Sequence, residues 1–357
     1  MTNSIYIHYG TRMPEMTYAL MDAAAVSAKI KPSMHVVIKP NLVVSRPADD
    51  GATTHPQIVE GIVRYLKDHG VSKISIAEGA WVGDLTERAF KNCGYASLAK
   101  TYGVKLIDTK KDRVLKKLLH GLEIGLCESL VHADYFINVP VLKGHCQTRM
   151  TCCLKNLKGC IPDSEKRRFH TIGLHKPIAV LASLLKPDLH VIDGICGDLS
   201  FEEGGTPVPS NRIMLGFDPV LLDSYGARLM GYQPDAIEHL RLAHEYGVGQ
   251  YVTNQTAITE LGVEDRPKID MKRVSIARQF AQYIDEDSAC SACYAALVFA
   301  LNKVKPSKSL GKIKIGQGFR GKTCAGIGIG NCTQGCEINV KGCPPQAVEI
   351  VELLRMR

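Results

Sequence analysis

Thirteen cysteines in a chain of 357 residues are the groups most able to do chemistry. They crowd toward the end, where DEDSACSACYAALVFALNK is followed by GKTCAGIGIGNCTQGCEINVKGCPPQAVEIVELL. Cys290 and Cys293 form a C-x-x-C at the head of an apolar helical segment. Asp285, Glu286, Asp287 and Ser288 stand before it as expected capping and first-turn residues. Such a corner turns two thiolates toward one metal site, with backbone N–H groups near the negative sulfur. Cys332 follows Gly328 and Gly330, where backbone can approach closely. Cys343 precedes Pro344-Pro345, which ends helix and removes a donor beside the sulfur.

Four thiolates suit zinc or an iron–sulfur cluster. A structural zinc site often has two C-x-x-C knuckles. One knuckle with two distant single cysteines favours iron–sulfur, so the expected cofactor is a single [4Fe–4S] cluster on Cys290, Cys293, Cys332 and Cys343. Cys336 is a rival of Cys332, and Cys324 is a second competitor. Gly326, Gly328 and Gly330 do not match the spacing of a dinucleotide loop.

The other cysteines read differently. Cys93, Cys127 and Cys196 stand alone in ordinary contexts and are assigned to packing. Cys146, Cys153 and Cys160 recur every seven residues, which on a helix separates neighbours by about 10 Å. A second all-cysteine cluster there requires a bent backbone. An odd cysteine count argues against a complete disulfide framework, and a reducing compartment favours metal or redox roles.

The most polar stretch runs from Val139 to His170, VPVLKGHCQTRMTCCLKNLKGCIPDSEKRRFH. Thr148 to Gly159 is expected to form a short helix, with Thr151, Lys155 and Asn156 near one face. Lys143 and His145 lie in the turn before it, and His170 returns after the loop. Lysines supply charge, Thr and Asn supply directional bonds, and a histidine can move protons. This combination suits a small anionic or oxygen-rich ligand.

These side chains need a frame. Val36–Ile38, Ile74–Ala77, Lys105–Ile107, Tyr135–Val139, His190–Ile192 and Arg212–Leu215 read as short buried strands. Helical patterns at Tyr18–Lys29, Gln57–His69, Glu87–Cys93, Ile178–Leu185 and Pro219–Leu229 alternate with them. The alternation predicts an α/β fold, a layered, mostly parallel sheet with helices on both faces. Ligands of such sheets bind at the carboxyl ends of strands. Here those ends carry Lys39-Pro40-Asn41, Glu78-Gly79, Pro140 to His145 and Asp193-Gly194. Asp218 and Asp223 open the helix at Pro219, where an N-cap or first-turn role competes with a functional one.

The charged stretch Val263–Lys272 separates residues 1–270 from a small C-terminal α+β iron–sulfur domain, 271–357. A formal charge of +8 is modest for this length, and 6% aromatic residues with no binding signature argue against nucleic acid. No apolar run suits a membrane span. MTNSIYIHYGTR lacks the regions of a signal peptide, so a cytoplasmic location is expected.

The segments IKPNLV, AEGAWVG, INVPVLKGH, TCCLKNLKG, IDGICGDLSFEEGGTP and FDPVLLDSYGARLMG, in that order, resemble the domain family of unknown function DUF362. The resemblance covers roughly residues 1–270. Members are often described as iron–sulfur cluster-binding proteins, and many carry a ferredoxin-type module with two C-x-x-C-x-x-C runs. This chain departs from that pattern. Its Gly-Cys-Pro-Pro ending instead resembles the cluster-binding segment of hydrogenase small subunits and the related complex I subunit. The family's motif positions fall here on Lys39, Asn41, Glu78, Lys143, His145, Thr151, Lys155, Asn156, His170, Asp193, Asp218 and Asp223.

The expected function is a redox-active iron–sulfur protein, an electron carrier or oxidoreductase, with a redox partner protein or small anionic ligand at the α/β domain. Alternatives are a non-redox enzyme using Lys143, His145, Lys155 and Glu78 beside a structural cluster, or a cluster-assembly and interaction protein.

Overall fold

The computed structural model describes residues 3–271, 275–307 and 310–356. Lys272 and Lys308, within the charged stretches of the sequence, lie outside the described residues. Eight strands form the main sheet: β1 (Ser4–Tyr9), β2 (His35–Lys39), β3 (Lys73–Glu78), β4 (Lys105–Asp108), β5 (Tyr135–Asn138), β6 (Leu189–Gly194), β7 (Arg212–Gly216) and β8 (Ala257–Leu261). Their spatial order is β8-β1-β7-β6-β5-β2-β3-β4. Neighbours are parallel except where β7 runs against β1 and β6. The six expected strands are β2 to β7. β1 and β8 are additional; β1 alternates half-buried and buried positions, and β8 is a largely exposed edge.

Helices cover both faces. Val36 and Ile38 of β2 enter one core with α1 (Met13–Ala23) and α2 (Pro56–Asp68). Val37 enters the opposite core. α2 starts on a proline and buries Ile58, Val59, Ile62, Val63 and Leu66 at helical spacing. Each such side chain contributes about 1.5–3 kcal/mol when fully buried.

The helix expected over Thr148–Gly159 is replaced by a hairpin and two short turns. Lys143–His145 pairs antiparallel with Arg149–Thr151, and only then do α3 (Cys153–Asn156) and a 3-10 turn, Leu157–Cys160, follow. Arg149 has φ of 66°, which a right-handed helix does not accept. Thr151 therefore belongs to the hairpin, while Lys155 and Asn156 belong to α3. Beyond these lie α4 (Asp163–Ile172), α5 (His175–Leu184) and α6 (Pro219–Leu229).

The tail has its own sheet, wholly parallel: β9 (Ile284–Glu286), β10 (Ile313–Ile315), β11 (Cys324–Ile329) and β12 (Cys336–Val340). α7 (Ser291–Val304) and α8 (Ala347–Arg355) share a core with it through Leu297, Leu301, Ile313, Ile315, Ile329 and Ile350. Asp285 and Glu286 are strand residues rather than caps. Cys290 itself is the N-cap of α7, and Glu286 accepts a bond from the Ala289 N–H at 2.8 Å. Among the described residues no helix is long and apolar enough to cross a membrane.

Candidate functional site

Parallel strands end at one edge, and the tail uses that edge for cysteines. Cys290 and Cys293 follow β9, Cys332 follows β11 in the turn Asn331–Thr333, and Cys343 follows β12. The four thiols act on one another electrostatically: burial, then the sulfurs of Cys290, Cys343 and Cys332, pushes the Cys293 thiol up to about 11. Gln317 Nε2 donates to Cys290 Sγ at 3.5 Å, and Arg320 Nε donates to Cys332 Sγ at 3.4 Å. Gly330, at φ 91°, faces the same space; a Cβ there would lie 3.8 Å from Cys293 Sγ. Asn331 ties the two loops together: its N–H donates to Gly342 O at 2.9 Å, and its Oδ1 accepts from the Gly342 N–H at 2.8 Å.

The two competing cysteines are engaged elsewhere. Cys324 and Cys336 lie opposite each other on β11 and β12 and are joined as a disulfide, with Cα atoms 4.4 Å apart. Neither sulfur is free to replace Cys332.

In the eight-stranded sheet, β2, β3, β5 and β6 deliver Lys39, Glu78, Asn138 and Asp193 to one carboxyl edge. Lys39 Nζ donates to Glu78 Oε2 at 2.8 Å and to Asn156 Oδ1 at 3.3 Å. Asn156 Nδ2 donates to Asn138 Oδ1 at 2.8 Å. Glu78 also accepts from the N–H groups of Leu42 and Gly79, at 3.1 and 2.7 Å. Lys39 and Glu78 are only 1% and 3% exposed. Each Glu78 oxygen already accepts a hydrogen bond, so the carboxylate orders the loops after β2 and β3.

A second cluster sits above this edge. Lys143 Nζ, fully buried, donates to the carbonyls of Ala52 and Glu202 at 2.6 and 2.9 Å and to Asn41 Oδ1 at 3.4 Å. Its pKa falls to about 8, chiefly from burial. His145 Nδ1 accepts from the N–H groups of Gln147 and Thr148, at 3.2 and 3.1 Å, so its proton sits on Nε2 and is donated to Glu202 Oε2 at 2.9 Å. Burial holds this imidazole down to about 4, so it is a neutral donor. Lys155 Nζ pairs with the other Glu202 oxygen. Lys158 Nζ and His170 Nε2 form the rim, 3.1 Å apart. Burial and the neighbouring Lys155 ammonium push Lys158 down to about 7.

Two buried side chains near these groups find no hydrogen-bond partner. They are the Thr151 hydroxyl, in the hairpin that carries Lys143 and His145, and both ring nitrogens of His239. Burial lowers the His239 pKa strongly, and the neighbouring His175 and Lys155 lower it further. Unsatisfied buried polar atoms call for a ligand or water. A cluster with Lys155 and Lys158 facing one carboxylate can hold an anion that takes the place of Glu202.

The remaining expected residues lie apart from this cluster. Asp218 caps α6, accepting from the Val220 and Leu221 N–H groups at 2.8 and 3.0 Å. Asp223 caps α3 through the N–H groups of Cys153 and Leu154 at 2.7 and 3.1 Å. Asp193 holds His55, Nδ1 to Oδ2 at 2.7 Å. Glu202, Lys158, His239, Asn138 and His55 are site residues that sequence reasoning passes over. Glu202 lies within the FEEGG segment and Lys158 within a basic run; His239 carries no local signal.

Over half of the chain, residues 36–228, matches the family described as domain of unknown function (DUF362), and the chain belongs to that family. A thylakoid-associated protein of Synechocystis sp. is 26% identical over 185 residues, covering 50% of this chain and 56% of its own length. The lactate racemase apoprotein from Thermoanaerobacterium thermosaccharolyticum superposes with a TM-score of 0.41 at 14% identity, covering 63% of this chain and 56% of that one. A Thermotoga maritima protein gives 0.42 at 13% identity, covering 66% and 60%. The chain thus spans little more than half the length of the relatives it matches first.

Three outcomes follow from the geometry. Glu78→Gln leaves Lys39 as an uncompensated buried charge and is expected to cost about 3–5 kcal/mol in urea unfolding; a change below about 1 kcal/mol contradicts the dry ion pair. Glu202→Gln removes the competing carboxylate, so sulfate binding followed by calorimetry tightens roughly fivefold; weaker binding refutes the displacement. Lys158 is charged below about pH 7 and neutral above, so sulfate binding weakens roughly twofold to fivefold as pH rises through 7. Lys158→Met flattens that dependence, and an unchanged profile counts against it.

Proposed function

We propose that this DUF362 protein is a redox-active iron–sulfur protein, with one [4Fe–4S] cluster held by Cys290, Cys293, Cys332 and Cys343 and an anionic-ligand site at Lys155, Lys158 and His170. The observation that carries the reading is the contact between the two sites. Cys146, the residue after His145, lies 3.4 Å from the Ala289 carbonyl and 3.3 Å from Ser291 Oγ, the two residues flanking Cys290. The hairpin that carries Lys143 and His145 is therefore packed against the head of α7.

The cysteine edge fits a cluster in three ways. It offers four thiols, two side-chain donors to sulfur, and Gly330 at a positive φ beside Cys293. A single zinc ion, with zinc–sulfur bonds of about 2.3 Å, draws its sulfurs to within about 4 Å of one another. Among the described residues, no three of these sulfurs lie within 4.8 Å of each other, which favours the larger group. A cluster so held supplies one-electron chemistry.

The chain's own residues have separable tasks. Lys143 ties the Ala52 and Glu202 loops to the hairpin. His145 donates from Nε2. Lys155 and Lys158 carry the charge that holds an anion. Thr151 and His239 offer unused polar atoms. Cys290 and Cys343 are exposed, and a cavity of about 400 Å³ lined by Arg320, Asn331 and Cys332 opens at Cys332, which suits the approach of a redox partner protein.

Anaerobic purification with iron and sulfide assay, then EPR after dithionite, tests the proposal. About four irons and a paramagnetic reduced cluster are expected, both lost in Cys290→Ser. Folded, iron-free wild-type protein sinks it.

A further inference from the structure

The carboxyl edge holds a second donor set that the cluster and the lysine site leave unused. Three metal-binding atom types converge on one point near the end of β6. His55 Nε2 lies 3.4 Å from Asp49 Oδ1 and 3.7 Å from Cys196 Sγ. All three donor atoms lie within 4.8 Å of one another. We propose that Asp49, His55 and Cys196 form a binding site for a zinc ion, with its fourth position open to solvent.

The two separations from His55 Nε2, 3.4 and 3.7 Å, are close to those a tetrahedral ion needs. Zinc binds nitrogen and oxygen at about 2.0–2.2 Å and thiolate at about 2.3 Å, which sets neighbouring donors about 3.3–3.6 Å apart. The set mixes soft sulfur, intermediate imidazole and hard carboxylate, a combination that suits zinc. The two other sites are all-thiol or lysine-rich, so this one is chemically distinct.

The histidine is built for the task. A zinc-binding imidazole usually gives its second N–H to a carboxylate, which fixes the ring and leaves the other nitrogen for the metal. Here Asp193, itself 1% exposed, accepts from His55 Nδ1 at 2.7 Å. The same oxygen accepts the His55 backbone N–H at 2.8 Å, and the other accepts the Ile195 N–H at 3.0 Å. Asp193 is thus a positioning residue, and Nε2 is aimed between Asp49 and Cys196.

The two ligand-bearing loops are also laced together. The Asp198 N–H donates to Gly51 O at 3.0 Å. A Cβ at Gly51 would fall 2.6 Å from Asp198 N and 2.8 Å from Cys196 O, so only glycine permits the approach. His55 is buried, Cys196 half-buried, and the Asp49 side chain 91% exposed, which leaves solvent access on one side only. By contrast the other close donor group, Cys152, Cys153 and Asp223, is sealed from solvent, and its carboxylate is taken up by backbone N–H groups.

Binding replaces protons rather than electrons. The thiol proton of Cys196 and any proton on His55 Nε2 pass to the buffer as the ion enters, and the thiolate and the imidazole nitrogen remain as ligands. The test is anaerobic titration of chelator-treated full-length protein with Co²⁺, then competition by Zn²⁺. A near-ultraviolet thiolate-to-cobalt band from one equivalent is expected in Cys290→Ser/Cys293→Ser protein, where the tail site is disabled. The band disappears in Cys196→Ser. Asp193→Asn lowers affinity roughly 10-fold to 100-fold. Asp49→Asn changes only an exposed side chain, so folding is not at stake, and in otherwise unaltered protein it lowers zinc affinity for this equivalent at least tenfold. A cobalt band indifferent to Cys196→Ser, or zinc affinity indifferent to Asp49→Asn, overturns the proposal.

Discussion

Two opposite charges lie dry at the carboxyl edge of the large sheet, and the candidate sites are arranged around them. Taking an ammonium and a carboxylate out of water costs several kcal/mol per ion unless geometry and extra hydrogen bonds repay it. Lys39 and Glu78 meet that condition by recruiting their surroundings. Glu78 draws in the Leu42 and Gly79 N–H groups, and Lys39 draws in the Pro40 carbonyl and Asn156. The pair therefore dictates the paths of the loops after β2 and β3 and seats the end of α3. Gly159 shows how close the fit is: a Cβ there would fall 1.9 Å from Glu78 Oε1 and 2.6 Å from Lys39 Nζ. Lys155 and Lys158, on either side of that seat, are held where they are because the backbone cannot retreat from the pair.

Above the pair, one pair of loops serves two purposes. Residues 47–55 and 193–203 each contribute to the lysine cluster and to the Asp49–His55–Cys196 group. Ala52 O and Glu202 O receive the Lys143 ammonium, while His55 and Cys196 of the same loops meet each other. Asp198 braces its own loop through four bonds, accepting from the Ser200, Phe201 and Thr206 N–H groups and the Thr206 hydroxyl, and its N–H ties that loop to the other at Gly51 O. Loops laced this way behave as rigid elements, and side chains on them keep their spacing without regular secondary structure.

The tail repeats the design on a smaller scale. Four short parallel strands bring separated cysteines to one edge, and the disulfide between β11 and β12 lies at the start of those strands, away from the turn that holds Cys332. The Cys146 contact joins the two designs. The hairpin that carries the buried Lys143 and His145 turns at Cys146, the residue that touches the head of α7.

How much of this was legible follows from the range of the forces. Strands β2 to β7 and their helices were readable because burial on both faces leaves a local mark, a short apolar run or a period of 3.6. The C-x-x-C, the Gly-Cys-Pro-Pro ending and the polar residues after strands were readable because each is local. The hairpin over Lys143–Thr151 was not, since the positive φ of Arg149 is set by pairing and not by residue type. Nor was the role of Glu202, whose carboxylate reaches His145 and Lys155 from another loop. His55, Asp193 and Cys196 show the division most clearly. Sequence alone supplied an Asp at the end of a strand and a cysteine fit for packing. Their meeting with a histidine more than a hundred residues away depended on strand order, because hydrogen bonds and metal geometry act over a few ångströms and only the folded sheet brings those atoms that close.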